Sequence, residues 1–399
     1  MRRFAFVLSA DIFAKGVLAF VTIALIRFLE PGTYAAYTFA IAVATAASQT
    51  LAASFNRIYI VGHEKLALSE RVESFLGLQL ALVLCVAVLA AGWSDLFGGT
   101  YLAVVFLGLA MVLSDFAKTF FQQQNRFSRY SGIEVARALL QAIAVAAVLT
   151  IGGERLRASP VLAAQATALL VASLAGLGTR VRWHRAADPR TYYPLAREIL
   201  VGRYGVLVAY FGAVALFSQV DVFMLRWLAP TDSLAAYGAA LRYYALLSLA
   251  LGAVHAVLLP AIQKATSAQE LAALYRKHSQ LVLAFVPAVG ILAFAAQWLL
   301  PLVDRGRYPE SVTVFRVLAL SSIVSFAFSP HVNLLMKLER FDFLLRLILV
   351  ASAVAIALHA ILIPRWGALG AAIATLLASA LVTVRIFFCA RDARRQGLG

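Results

Sequence analysis

The chain has 399 residues, of which 62% are hydrophobic and only 14% charged, and its formal net charge is +16. Soluble domains carry about 25% charged residues, so this composition excludes a water-soluble enzyme or binding module and indicates a polytopic membrane protein. The two cysteines, Cys85 and Cys389, fall in or beside apolar runs and imply no disulfide framework.

A hydrocarbon core about 30 Å thick needs roughly 20 apolar residues per helix. Twelve runs of that kind follow one another: 4 to 28, 34 to 59, 72 to 92, 98 to 121, 131 to 151, 160 to 179, 202 to 227, 234 to 260, 279 to 302, 312 to 336, 343 to 363 and 367 to 389. The first is too long for a cleavable signal peptide, carries Asp11 and Lys15 and lacks a small-residue cleavage site, so it is expected to remain as helix 1. Asp11 and Lys15 are four apart and share a helix face. They form either a structural ion pair or an anion contact, Lys15, with a protonatable or cation-binding partner, Asp11. Helix 2 carries Gln49, Asn56 and Arg57 toward one end, where Arg57 either snorkels to the interface or lines an entrance. Asp115 and Lys118, three apart on helix 4, read as a structural pair.

Residues 180 to 199 are the longest polar, basic stretch between runs. They divide an N-terminal six-helix bundle, 1 to 179, from a C-terminal one, 200 to 399. Beyond them, Gln219 and Asp221 lie on helix 7, Arg242 and His255 on helix 8, and Arg316 and His331 on helix 10. The segment Ser267 to His278 reads as an interface-lying helix with Leu271, Leu274 and Tyr275 facing lipid. Gly367, Gly370, Ala371 and Ala374 put small residues at close helical spacing, which lets backbones approach. His255 and His359 fit packed or hydrogen-bonded side chains better than metal ligands, and no zinc motif is present.

An ionisable side chain at membrane depth costs several kcal/mol and normally faces a partner or a wet cavity. Lys15, Arg57, Arg242 and Arg316 are therefore the candidates for a cationic cavity between the two bundles. Asp11, Asp221, Gln219 and His255 are their candidate polar or coupling partners. Such a cavity would attract an anionic headgroup, and arginine would hold phosphate through paired hydrogen bonds.

Part of the chain occurs twice. Leu25-Ile26-Arg27-Phe28-Leu29-Glu30-Pro31 with Ala35-Ala36-Tyr37 returns as Met224-Leu225-Arg226-Trp227-Leu228-Ala229-Pro230 with Ala235-Ala236-Tyr237. Gln124-Asn125-Arg126-Phe127 echoes in Leu338-Glu339-Arg340-Phe341, and Ala163-Ala164-Gln165-Ala166-Thr167 in Ala371-Ala372-Ile373-Ala374-Thr375. Three echoes in one order indicate a duplicated helix bundle. Six spans per half make the repeats parallel. The basic residues alternate in density from loop to loop, as Lys65, Arg71, Arg126, Arg129, Arg276 and Lys277 illustrate. That pattern is the positive-inside bias and puts both termini in the cytoplasm, so the charge reports orientation rather than nucleic-acid binding.

These residues resemble a family: the polysaccharide biosynthesis and export flippases of the multidrug/oligosaccharidyl-lipid/polysaccharide (MOP) superfamily. The resemblance rests on Leu25 to Tyr37, on Ser218-Gln219-Val220-Asp221 running into Leu225 to Pro230, on Tyr237 to Arg242, on Leu259-Pro260, and on Leu362 to Thr375. It implies an all-α, MATE-like fold of about twelve transmembrane helices in two six-helix bundles around a central cavity. It also implies alternating access, a bacterial inner-membrane location, and undecaprenyl-pyrophosphate-linked oligosaccharide as substrate, such as an O-antigen or exopolysaccharide repeat unit. No cofactor is implied beyond H+ or Na+ coupling, and a polysaccharide polymerase or ligase is the implied partner. An ion-coupled drug or cation exporter of the same superfamily is the nearest alternative. A membrane-embedded polymerase or glycosyltransferase fits less well, because the loops are too short to display catalytic residues.

Overall fold

A computed structural model describes residues 2–62, 66–68, 70–153, 156–186, 188–202, 204–265, 267–338 and 340–395; the side chains of 2–8, 61, 179, 191, 246, 248–261, 263–264 and 392–395 lie outside the description. The described chain is all-α, as its composition requires. In order the helices are α1 (Arg2–Phe28), α2 (Pro31–Val61), α3 (Val72–Ala90), α4 (Tyr101–Gln123), α5 (Phe127–Gly152), α6 (Ala158–Leu177), α7 (Trp183–Ala186), α8 (Pro189–Leu200), α9 (Gly205–Phe217), α10 (Val220–Leu228), α11 (Thr231–Lys264), α12 (Ala268–Asp304), α13 (Ser311–Lys337) and α14 (Phe341–Arg395). Large apolar side chains face outward, with Ile151 86% and Leu89 82% exposed. In water such a surface would aggregate; in a bilayer it is the lipid-facing wall.

Nine described helices are long and apolar enough to cross a membrane, or ten if α8 and α9 form one bent span. Four of the twelve expected runs explain the different count. The run 202 to 227 is shared between α9 and α10, and most of 234 to 260 has its side chains outside the description. The last two runs lie together in α14, which is a tight helical hairpin. A Cβ added at Gly370 would sit 2.3 Å from the carbonyl oxygen of Leu362, and Thr375 Oγ1 lies 3.5 Å from His359 Nε2. In a straight helix those pairs would be about 12 and about 24 Å apart. The reversal happens at Gly367, whose φ of +52° and ψ of −127° only glycine adopts readily. The small-residue spacing thus does what it suggested, and Ala368, Ala371 and Ala374 are fully buried at the approach.

The chain forms two compact units, Met1–Gln219 and Val220–Gly399. In the first, α1 packs on α5, α2 on α4 and α9, α4 and α5 on α6, and α3 on α4, α7 and α8. Its core is aromatic where α2, α3 and α4 meet: Tyr59 stands 5.3 Å from Phe75 and 5.7 Å from Phe116, and Phe55 5.8 Å from Phe75. Between membrane helices such packing and interhelical hydrogen bonds supply the association energy, because lipid is as apolar as leucine.

In the second unit, α10 packs on α11 and α14, and α13 contacts α11, α12 and α14. Proline decides one contact here. Pro330 lies inside α13 and has no N–H for the carbonyl of Phe326; His278 Nε2 on α12 donates to that oxygen at 2.9 Å instead. The expectation of a lipid-facing, interface-lying segment at Ser267 to His278 is therefore corrected. Those residues open the continuous helix α12, capped by Ser267 Oγ accepting from Glu270 N at 3.2 Å. Leu271 is only 2% exposed, and the Tyr275 ring packs 4.9 Å from His331 on α13. Its apolar stripe faces α13 rather than lipid.

The repeated segment builds the same break twice. α1 ends at Phe28 and α2 begins at Pro31; α10 ends at Leu228 and α11 begins at Thr231. Leu29 N bonds to Leu25 O at 3.0 Å, and Ala229 N bonds to Leu225 O at 3.1 Å. Tyr37 and Tyr237 are both buried on the helix that follows.

Candidate functional site

The first unit carries an open cavity of about 440 Å³ between α2, α4, α5 and α9. Its wall is polar for a membrane segment. Gln49 and Asn56 come from α2, Asp115, Lys118, Thr119 and Gln122 from α4, Tyr130 from α5, and Phe211 with Val214 and Ala215 from α9. Asn56 Oδ1 is buried with no hydrogen-bond partner among the described residues. A buried acceptor left unsatisfied costs about 1–3 kcal/mol, and because this oxygen is itself buried a ligand reaches it only if the Asn56 side chain turns.

The charges behind this wall form a network. Lys118 Nζ lies 2.7 Å from Asp115 on its own helix and 2.8 Å from Glu134 on α5. Glu134 is also held at 2.6 Å by Arg137 Nη2, one turn further along α5. The Glu134 side chain is only 6% exposed, so its charge is sustained by two cations. Asp11 and Lys15 are paired at 2.7 Å on α1. α1 packs on α5, and Asp11 lies within electrostatic reach of Tyr130, as Lys15 does of Glu134. The α1 pair and the α4–α5 network thus face one another, and the Lys15 charge is balanced locally.

Arg57 differs. Its guanidinium carbon stands 6.0 Å from the centroid of the Phe211 ring, which lines the cavity although Arg57 itself does not, and among the described residues it has no carboxylate within ion-pair distance. Arg57 is therefore a cation beside one ring of the wall, without a carboxylate partner among the described residues.

The second unit has a polar cluster of another kind. Asp221 on α10 is 6% exposed; one carboxylate oxygen accepts from Val222 N at 2.8 Å and the other from the Tyr237 hydroxyl of α11. Thr375 on α14 stands near the Tyr237 hydroxyl. His359 Nδ1 donates to Ala355 O at 2.6 Å, which leaves Nε2 as an acceptor 3.5 Å from Thr375 Oγ1. Asp221, Tyr237, Thr375 and His359 thus form one buried chain across three helices. Among the described residues no group of three or more His, Cys, Asp or Glu side chains could hold a metal ion.

The remaining candidates lie apart from these clusters. Gln219 bonds to its neighbour Ser218 at 3.3 Å. Arg316 is tied to α12, donating to Ala293 O at 3.0 Å and to Gln297 Oε1 at 3.3 Å. Arg242 is half-buried on α11, and the side chain of His255 lies outside the described residues. Sequence spacing missed Glu134, Arg137, Tyr130, Tyr237 and Thr375. Glu134 and Arg137 carry a usable signal, two opposite charges three apart within an apolar run.

A family model described as "Polysaccharide biosynthesis protein" matches residues 2–266. The chain belongs to that family. A comparison with curated proteins finds no match. Among solved structures, the lipid II flippase MurJ in an inward closed conformation is similar with a TM-score of 0.74 at 13% identity, over 97% of this chain and 87% of that one. A MOP superfamily transporter from Pyrococcus furiosus has a TM-score of 0.64 at 12% identity, over 98% and 94%. An outward-facing multidrug resistance MATE transporter of the same superfamily also has a TM-score of 0.64, at 13% identity over 98% and 94%. These likenesses establish the fold: this member of the polysaccharide biosynthesis family is a multi-pass membrane protein that shares the architecture of those three structures.

Proposed function

We propose that the chain flips an undecaprenyl-pyrophosphate-linked oligosaccharide across the bacterial inner membrane by alternating access, with both termini in the cytoplasm. The observation that carries this reading is the amide-rich cavity of the first unit. Gln49, Asn56 and Gln122 supply donors and acceptors suited to sugar hydroxyls, with the Tyr130 and Phe211 rings beside them. A volume of about 440 Å³ falls in the range of ligand sites. Arg57 stands beside the Phe211 ring of that wall, without an acid partner among the described residues, and suits a phosphate. Membership of the polysaccharide biosynthesis family supports the same substrate class. The sugar headgroup enters the polar cavity while the lipid tail stays in the bilayer, and Arg242 and Arg316 serve the headgroup within the second unit. Coupling to H+ or Na+ runs through Asp11 or Asp221. A polysaccharide polymerase or ligase receives the product.

One observation favours the drug-exporter alternative. Asp115 lines the cavity beside Lys118, so the wall presents both signs of charge and does not repel a cation outright. Deletion of the protein followed by lipid analysis separates the two. The flippase reading expects lipid-linked oligosaccharide to accumulate on the cytoplasmic leaflet; unchanged lipid carriers with altered drug tolerance would replace it with the exporter. In a reconstituted assay, Arg57→Ala and Arg242→Ala should each lower flux while the protein remains folded, and wild-type flux would remove that residue from the site.

A further inference from the structure

Beyond transport, the basic stretch between the apolar runs is a built surface rather than a loose connector. α7 and α8 are fastened to α3: Leu195 and Ile199 are buried in the core shared with α3, and a Cβ at Gly77 of α3 would stand 2.1 Å from Ala186 O. Arg71 pairs with Glu198 at 3.4 Å, Glu73 Oε1 accepts from Arg182 N at 3.4 Å, and Asp188 caps α8 by accepting from Arg190 N at 3.0 Å. The inner face of α8 is therefore spent on the protein.

Its outer face carries Arg190, Tyr193, Arg197 and Leu200 at positions i, i+3, i+7 and i+10, a single stripe on a helix. All four are exposed, Tyr193 by 72%. No acid interrupts the stripe, and neither arginine has a carboxylate partner among the described residues. The axis turns by 81° between α8 and the wholly apolar α9. A basic, amphipathic helix set crosswise to an apolar neighbour fits the membrane surface, where alternating arginine and apolar side chains meet headgroups and acyl chains together.

We propose that the outer stripe of α8 binds anionic phospholipid headgroups, Arg190 and Arg197 pairing with phosphate while Tyr193 and Leu200 enter the acyl boundary. This holds whatever the protein transports. Each basic residue near an anionic surface is worth about a fivefold preference, so two give about 25-fold. The test titrates the full-length protein in neutral detergent with short-chain phosphatidylglycerol, phosphatidylcholine or glycerol phosphate. Phosphatidylglycerol should bind more tightly than phosphatidylcholine, R190Q/R197Q should weaken it about 25-fold, and R190K/R197K should retain most of the binding. Y193S/L200S should weaken lipid binding without creating affinity for glycerol phosphate. Equal binding of the two lipids, a double glutamine variant that titrates as wild type, or glycerol phosphate binding as tightly as the lipid would each overturn the proposal. The thermal midpoint of every variant checks that α8 stays docked, which its untouched inner face predicts.

Discussion

Tyr37 and Tyr237 occupy matched places in a duplicated hairpin, yet their hydroxyls have different company. In the first unit Tyr37 meets Gln165 of α6, whose Nε2 donates to it at 3.0 Å. In the second, Tyr237 donates to the Asp221 carboxylate and meets Thr375 of the α14 hairpin. Thr22 stands in α1 where Asp221 stands in α10, and its hydroxyl bonds only within its own helix, to Leu18 O at 2.9 Å. Duplication thus preserved the buried tyrosine and changed what it serves. The first unit collects its ionisable groups elsewhere, in the α1–α4–α5 network, whereas the second places an acid directly under the hairpin. One architecture holds two electrostatic designs: compensated ion pairs, and buried acids, Asp221 and Asp304, satisfied by hydroxyl and backbone donors.

The largest way to break this contrast is at Glu134. Glu134→Ala leaves Lys118 and Arg137 beside each other without their shared carboxylate, and breaking a buried pair costs about 3–5 kcal/mol. Thermal unfolding in detergent should show a large loss. Adding Arg137→Met should recover part of it, because Arg137 is the charge left without its carboxylate, whereas Lys118 keeps Asp115. A fully additive double variant would mean that the network does not act as a unit.

The hairpin tyrosines give the middle of the range. Polar contacts between membrane helices are worth about 0.6 kcal/mol on average and reach about 1.7. Tyr237→Phe removes a donor to a buried carboxylate and should lie near the upper figure. Tyr37→Phe loses a neutral contact to Gln165 and should lie near the average. Equal losses in the two variants would mean that the partner's charge does not distinguish the sites.

Several of these features were legible in the sequence, and the reason is distance along the chain. Asp11 with Lys15 and Asp115 with Lys118 are spaced so that the helix itself brings them together, and both pairs form. The α14 turn was visible as Pro364 to Gly367 between two apolar runs. Lys118 with Glu134, Arg57 with Phe211 and Tyr237 with Thr375 join different helices, which no local period encodes. Leu271 shows the complementary limit: an apolar stripe has the same pattern whether lipid or another helix covers it, and here α13 does. Fold class therefore came from composition, whereas the wall of the cavity needed the packing of α2, α4, α5 and α9.

The smallest expected effect completes the comparison at Thr22. Its hydroxyl bonds to the carbonyl four residues back, a contact that competes with the helix's own ladder and adds little. Thr22→Val keeps the branched shape and removes only that bond, so stability should change by less than about 0.5 kcal/mol. Flux should also stay at the wild-type level, because nothing in the first unit uses this position as the second unit uses Asp221. A clear loss of flux with unchanged stability would show that the two matched positions still share a role, and would erase the distinction drawn between the halves.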